Sequence, residues 1–305
     1  MCTAMKIGGL FGRTLDLEHT YNERVVLTPR DFTLGMRHLP DLTHHHAILG
    51  MATVAEGFPL YYDACNECGL AVAGLNFPHS GRYATEGEVA SFELIPYLLG
   101  TCATVAQARA ALERIRVCNT AFSAAFPPTR LHWMVADATE SLVVESTARG
   151  MTLYDNPIGV MTNEPPFDRQ LTHWAQFAHL TAQEPTPTPP HTGRGSGSVG
   201  LPGDFTSPSR LVRAAFAAAH SVAVGDPVGQ FFHAMATVEV PRGCLCLPDG
   251  RMVISQYTCC MDLARRAYHY RTYESRSVTA VEMVTEGDAL VTYPLPEKED
   301  VKWEN

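Results

Sequence analysis

The sequence has no excess of positive charge, no long apolar run and no repeat of fixed period. Its 23 Lys and Arg are outnumbered by 32 Asp and Glu, giving a formal net charge of −9. A phosphate backbone is bound by clustered cations that release counterions, so the acidic balance argues against nucleic acid as a partner. No stretch approaches the roughly 20 apolar residues of a membrane-spanning helix. The start, Met1-Cys2-Thr3-Ala4-Met5-Lys6, lacks the apolar core of a secretory signal. The expectation is a cytoplasmic protein with no membrane partner.

What is there is an ordinary globular composition, with 46% hydrophobic residues in a chain of 305. A chain of that length buries about three quarters of its unfolded surface and needs no covalent staples. The nine cysteines, at 2, 65, 68, 102, 118, 244, 246, 259 and 260, are therefore not a disulfide framework, and their odd count leaves at least one thiol free. Cys65-x-x-Cys68 has the spacing of half a zinc site, but Cys244-x-Cys246 and Cys259-Cys260 are poorly spaced to complete it. Reduced cysteines used as small core residues is the simpler reading. His44-His45-His46 would point to alternate faces of an extended segment, so at most two could share an ion. His132, His173 and His233 sit in no recognisable Cys/His pairing. No metal and no cofactor is expected.

Short apolar stretches bounded by turn residues dominate the chain. Residues 7–12, 47–52, 70–75, 131–136 and 141–145 read as strands, several of them buried on both faces. Gly8-Gly9 between two such runs is a hairpin signal. Ser91 to Leu99, Val105 to Ile115 and Pro208 to His220 carry helical spacing, with Thr104 and Ser207 placed as N-caps. Strands group at 1–75, at 130–165 and again from 231 to 293, with helices between, which indicates layered α+β. Glu184 to Gly203, rich in Pro-Thr and Gly-Ser, reads as a long exposed loop within a single domain spanning 2–305.

Cys2 is the residue with the most chemistry. Removal of Met1, which a small second side chain tolerates, would leave Cys2 holding a thiol and a free α-amine in one residue. An α-amine, with a reference pKa of about 7.7 to 8.0, is partly neutral at physiological pH and accepts a thiol proton.

The residues that follow resemble a known family in order along almost the whole chain. Phe11-Gly12-Arg13-Thr14-Leu15-Asp16 resembles the F-G-R-N-x-D segment of the choloylglycine hydrolases, N-terminal nucleophile hydrolases that include bile salt hydrolases and penicillin V acylases. Asn66-Glu67-Cys68-Gly69-Leu70 and Ala73-Gly74-Leu75-Asn76-Phe77-Pro78 are similar to the family's N-E-K-G-L and A-G-L-N-F-P. Leu131-His132-Trp133-Met134, Gly159 to Asp168, Gly200 to Arg210 and Tyr268 to Tyr273 follow in family order. The resemblance implies a four-layer αββα sandwich of two stacked, mostly antiparallel sheets covered by helices. It implies a nucleophile at Cys2, with Arg13 offsetting the thiolate and Asp16 holding the amine. Asn76 and Asn163 would form the oxyanion hole, and Arg210 would support the nucleophile electrostatically.

Departures are Thr14 for a usual Asn, Cys68 for Lys, Glu164 for a small polar residue, and a short hairpin before Arg13. Asn76 followed by Phe77-Pro78 looks like the bile salt hydrolase branch, since Gram-positive penicillin V acylases tend to carry Tyr there. The substrate class implied is a glycine- or taurine-conjugated bile acid, with an N-acyl amide such as penicillin V as the alternative. Leu15, Ala55, Phe58, Tyr62, Phe122 and Phe126 would line an apolar pocket for a steroid body. A homo-oligomer, the family's tetramer, is the expected assembly.

Overall fold

The computed structural model describes residues 1–187, 193–298, 300 and 303. The chain opens with a hairpin, β1 (Cys2–Ile7) and β2 (Leu10–Leu17), turning at Gly8 with a positive φ of 56°. Strands β3 (Arg24–Thr28), β4 (Ile48–Ala55), β5 (Phe58–Asn66) and β6 (Ala71–Asn76) follow. Two short strands, β7 (Val89–Ala90) and β8 (Val117–Cys118), bracket helices α1 (Leu94–Thr101) and α2 (Val105–Leu112). Next come β9 (Leu131–Ala136), β10 (Ser141–Thr147), β11 (Gly150–Asp155) and β12 (Val160–Met161). Helices α3 (Phe167–Ala175), α4 (Ser207–His220) and α5 (Pro227–Ala236) precede β13 (Ile254–Asp262), β14 (Ala267–Thr272), β15 (Thr279–Glu282) and β16 (Val291–Tyr293).

Two large antiparallel sheets result. One has the order β12-β1-β2-β13-β14-β15 and the other β11-β10-β9-β6-β5-β4-β3-β16. Successive strand residues point to opposite faces, and here both faces are buried. In β1, Cys2 and Ala4 enter the core between the sheets while Met5 faces the outer helices. In β6, Ala71, Ala73 and Leu75 face inward, and Val72 faces the other helical layer. Three cores separate four layers, with α1 and α2 outside the eight-stranded sheet and α4 and α5 outside the six-stranded one. This is the αββα sandwich expected above.

Several boundaries differ from those expected. The run from 231 that reads as strand begins inside α5, whose Asp226 side chain caps the Gly229 amide at 2.8 Å with Pro227 behind it. The first helix starts at Leu94, and α2 stops at Leu112. Thr104 caps α2 as expected, accepting from Gln107 N. Ser207 does not cap α4, because the helix already includes it and its hydroxyl is used elsewhere. Residues 188–192 of the 184–203 loop lie outside the described residues. Glu184 bonds Gly195 and Ser196 across that loop.

Strands β2 and β13 approach so closely that one position has no room for a side chain. A Cβ at Gly12 would sit 2.0 Å from the Cys259 carbonyl oxygen, a backbone atom that cannot rotate away. Gly12→Ala is expected to cost about 3 kcal/mol of stability, read from urea unfolding. A cost under about 0.5 kcal/mol, the range of an ordinary surface change, would contradict this packing.

Candidate active site

The site forms where β1 begins. Strand β1 pairs β12 with Ala4 opposite Met161 and Met5 opposite Val160. Continuing that register by two residues brings Cys2 level with Asn163, just past the end of β12. A side chain takes over the ladder bond there: Cys2 N donates to Asn163 Oδ1 at 2.8 Å. Arg210, fully buried on α4, donates to the Cys2 carbonyl at 2.6 Å and to Thr3 Oγ1 at 2.7 Å through Nη1. Its Nη2 reaches Asn163 Oδ1 at 2.8 Å. Burial pushes the Arg210 pKa down, while Asp16 and Cys2 work against that shift. The Asn163 carboxamide is fixed on its other end by donating to the Asn76 carbonyl at 2.8 Å. A carboxamide has two N–H bonds, so the second stays available to a substrate oxygen. The Ser207 hydroxyl accepts from Asn163 N at 2.9 Å, which is the use that takes it from capping α4.

Asn76 supplies a second donor by strand geometry. Phe77 N bonds Arg130 O at 2.8 Å, so Phe77 and Arg130 form a hydrogen-bonded pair. Pairs alternate along an antiparallel ladder, so the Asn76 N–H points away from β9. On that side the pairing of β6 with β5 ends at Ala73 and Asp63. The freed edge is where Arg13 enters: its Nη1 donates to Gly74 O at 2.8 Å.

Arg13 is fully buried on β2, with Nε on Thr14 O at 3.0 Å and Asp63 Oδ2 at 3.9 Å. Burial works against its charge, but Cys2, Tyr257, Asp63 and Cys259 outweigh it and raise its pKa above the ordinary arginine value. Its Nη2 is buried without a hydrogen-bond partner among the described residues. An orphaned guanidinium N–H on a residue that lines the same cavity as Cys2 is suited to meet a thiolate or a developing oxyanion.

Asp63 went unread in the sequence. It accepts from Tyr257 Oη at 2.5 Å, Tyr268 Oη at 2.6 Å and Cys259 Sγ at 3.3 Å. The one available signal was an acidic residue at a core-facing position of a buried strand.

Asp16 stands near the chain start. With Met1 present, the Met1 amine donates to the Asp16 main-chain oxygen at 2.6 Å. The carboxylate instead accepts from Ser255 Oγ at 2.6 Å and Thr14 Oγ1 at 3.1 Å, with Arg210 Nη1 3.9 Å away. Thr14 thus has a use in the site at the position where the family usually has Asn. Burial raises the Asp16 pKa, against the pull of Arg210, the N-terminal ammonium, Ser255 and Thr14.

A cavity of about 340 Å³ opens onto Cys2, Arg13 and Asn76. Of the residues assigned to a steroid pocket, Leu15, Tyr62, Phe122 and Phe126 line it, joined by Leu17, Tyr21, Phe92 and Trp133. Ala55 and Phe58 are not in the lining. They face each other at the closing pair of the β4–β5 hairpin, and Phe58 stands behind the wall, 5.7 Å from Phe92 and 5.8 Å from Phe122 between ring centres. The walls are mostly apolar, and their polar side chains include Ser91, Thr129 and a hydroxyl pair, Thr53 and Tyr62, 2.8 Å apart.

The other residues weighed for metal chemistry are dispersed. Cys65 is buried between the sheets and Cys68 is exposed, 3.5 Å from His46 Nδ1. Cys259 and Cys260 enter different cores. His44 bonds Asp31, His45 bonds main-chain carbonyls, and His132 lies buried between Glu145 and Thr162 O. His173 and His233 sit in the last turns of α3 and α5.

The chain is similar to several known proteins over nearly its whole length. A bile salt hydrolase/transferase of Lactiplantibacillus plantarum is 39% identical over 97% of this chain and 97% of its own length. A conjugated bile acid hydrolase of Lactobacillus gasseri is 32% identical over 96% of this chain and all of its own. A crystal structure of the conjugated bile acid hydrolase of Clostridium perfringens superposes over the full length of both chains, with a TM-score of 0.93 and 31% identity. The penicillin V acylase of Agrobacterium tumefaciens shares the fold, with a TM-score of 0.75 at 22% identity over 96% of this chain and 91% of that one. The family model for linear amide C–N hydrolases of the choloylglycine hydrolase family matches residues 2–290, and the chain belongs to that family.

Proposed function

We propose that the chain is a bile salt hydrolase that cleaves the amide of glycine- or taurine-conjugated bile acids, with Cys2 as nucleophile after loss of Met1. The observation that carries this reading is the meeting of Cys2, Arg13 and Asn76 at the end of one apolar cavity. Once Met1 is gone, the nitrogen now bonded to Asn163 Oδ1 becomes an amine beside the thiol, and Asp16, whose main-chain oxygen receives the Met1 ammonium while Met1 is present, is the residue assigned to hold it. That amine takes the thiol proton as Cys2 Sγ attacks the amide carbon. Arg13 balances the thiolate, and the spare N–H of Asn163 with the Asn76 N–H receives the oxyanion. As the C–N bond breaks, the amine returns the proton to departing glycine or taurine. Water then hydrolyses the thioester, activated by the same amine, and frees the bile acid.

The cavity walls suit a steroid body, whose burial supplies roughly 25 cal/mol per Å² before association costs. Recognition rests on that area more than on the carboxylate or sulfonate head, so both conjugates are expected to turn over. The reading extends to one domain over residues 2–305, working in the cytoplasm as a homotetramer. No described helix is long and apolar enough to cross a membrane.

The experiment is kcat/KM for taurocholate, glycocholate and penicillin V on one preparation, because any defect in the shared nucleophile cancels in the ratios. Both bile salts should be cleaved, and each should exceed penicillin V. A ratio favouring penicillin V would overturn the substrate assignment while leaving the cysteine chemistry in place.

A further inference from the structure

Glu164 is one of the chain's departures from the family pattern, and its carboxylate binds the loop that follows Asn76. Oε1 accepts the N–H groups of His79 and Ser80, both at 2.9 Å. Oε2 accepts the Ser80 hydroxyl at 2.6 Å. The loop itself closes on Gly81 N to Phe77 O at 2.9 Å. Glu164 follows Asn163 directly, so it ties the segment carrying one oxyanion donor to the loop anchored by the other. A direct bond, Asn163 Nδ2 to Asn76 O, joins the two donors themselves.

We propose that Glu164 is a positioning residue, a carboxylate staple that fixes the Asn76 arm of the oxyanion site against the Asn163 arm. The inference rests on the roles assigned to Asn76 and Asn163 above. An oxyanion donor works by being in place before charge develops. A loop free to move must be ordered during the reaction, which adds its ordering entropy to the barrier. Because Glu164 lies outside the cavity wall, its loss should reach turnover and not substrate binding.

The test compares Glu164→Ala and Glu164→Gln with the parent on taurocholate. It adds the rate of Cys2 alkylation by iodoacetamide and amide hydrogen exchange at His79 and Ser80. For Glu164→Ala, kcat should fall about 10-fold, a fraction of the loss for deleting a donor outright. KM and the alkylation rate should match the parent, and exchange at the two amides should quicken. Glu164→Gln keeps an acceptor oxygen for both amides and should restore kcat to near the parent value. Parental kcat in Glu164→Ala would overturn the staple, as would unchanged exchange. So would equal losses of turnover and alkylation, which would mark general damage to the site. If penicillin V proves the better substrate, the same comparison is run on it. The bile salt reading then fails, but the staple is still decided, because any amide passes through the same oxyanion.

Discussion

Cys2→Ser is expected to lose amide hydrolysis by on the order of 10⁴-fold or more, the scale seen when a hydrolase loses its nucleophile. The hydroxyl is nearly isosteric, so the protein should fold and melt as the parent does. What changes is acidity: an α-amine is too weak a base to ionise a serine hydroxyl, and Arg13 then has no thiolate to balance. The neighbours of the residue bond its main chain and not its sulfur. Asn163 holds the nitrogen and Arg210 the carbonyl, so the start of β1 stays in position without the thiol. Turnover comparable to the parent would identify another nucleophile.

Asn163→Ala is expected to lower kcat by about 10² to 10³-fold with a much smaller change in KM. The side chain does two things at once. Its oxygen accepts from the nitrogen that is the base in the proposed mechanism, and its nitrogen is fixed on Asn76 O with one N–H to spare. Both uses matter most when charge develops, so the loss belongs to the transition state. Its removal also leaves Arg210 Nη2 without its acceptor in a buried place, so a modest fall in melting temperature should accompany it. A raised KM with kcat unchanged would make Asn163 a substrate anchor instead.

The layers were legible where the apolar runs are continuous. Strands β6, β9 and β10 sit where their apolar runs fall, because a strand buried on both faces leaves an unbroken apolar signature. The stretch from Phe231 misled because a short apolar run suits strand or helix equally, and the deciding cap lay upstream at Asp226 and Pro227. The proposed reactive set is scattered between positions 2 and 210, and no local spacing joins Cys2 to Asn163 or Arg210. Family resemblance collected them; the register of β1 against β12 explains why they meet. Asp63 was missed because its partners Tyr257, Tyr268 and Cys259 come from the opposite sheet, a contact visible only after folding. Ala55 and Phe58 were misplaced for a similar reason. An apolar residue in a hairpin faces either the cavity or the core behind it, and the choice depends on which rings, here Phe92 and Phe122, fill the layer between.

If the amine and thiol of Cys2 together perform the chemistry, Cys2 must begin the chain. The most direct test is the intact mass of purified protein, measured on the fractions whose hydrolytic activity is recorded. Activity should follow the species lacking Met1 and starting at Cys2, and protein retaining Met1 should be inert. Full activity in chains that keep Met1 would contradict the account, because a peptide nitrogen cannot take the thiol proton.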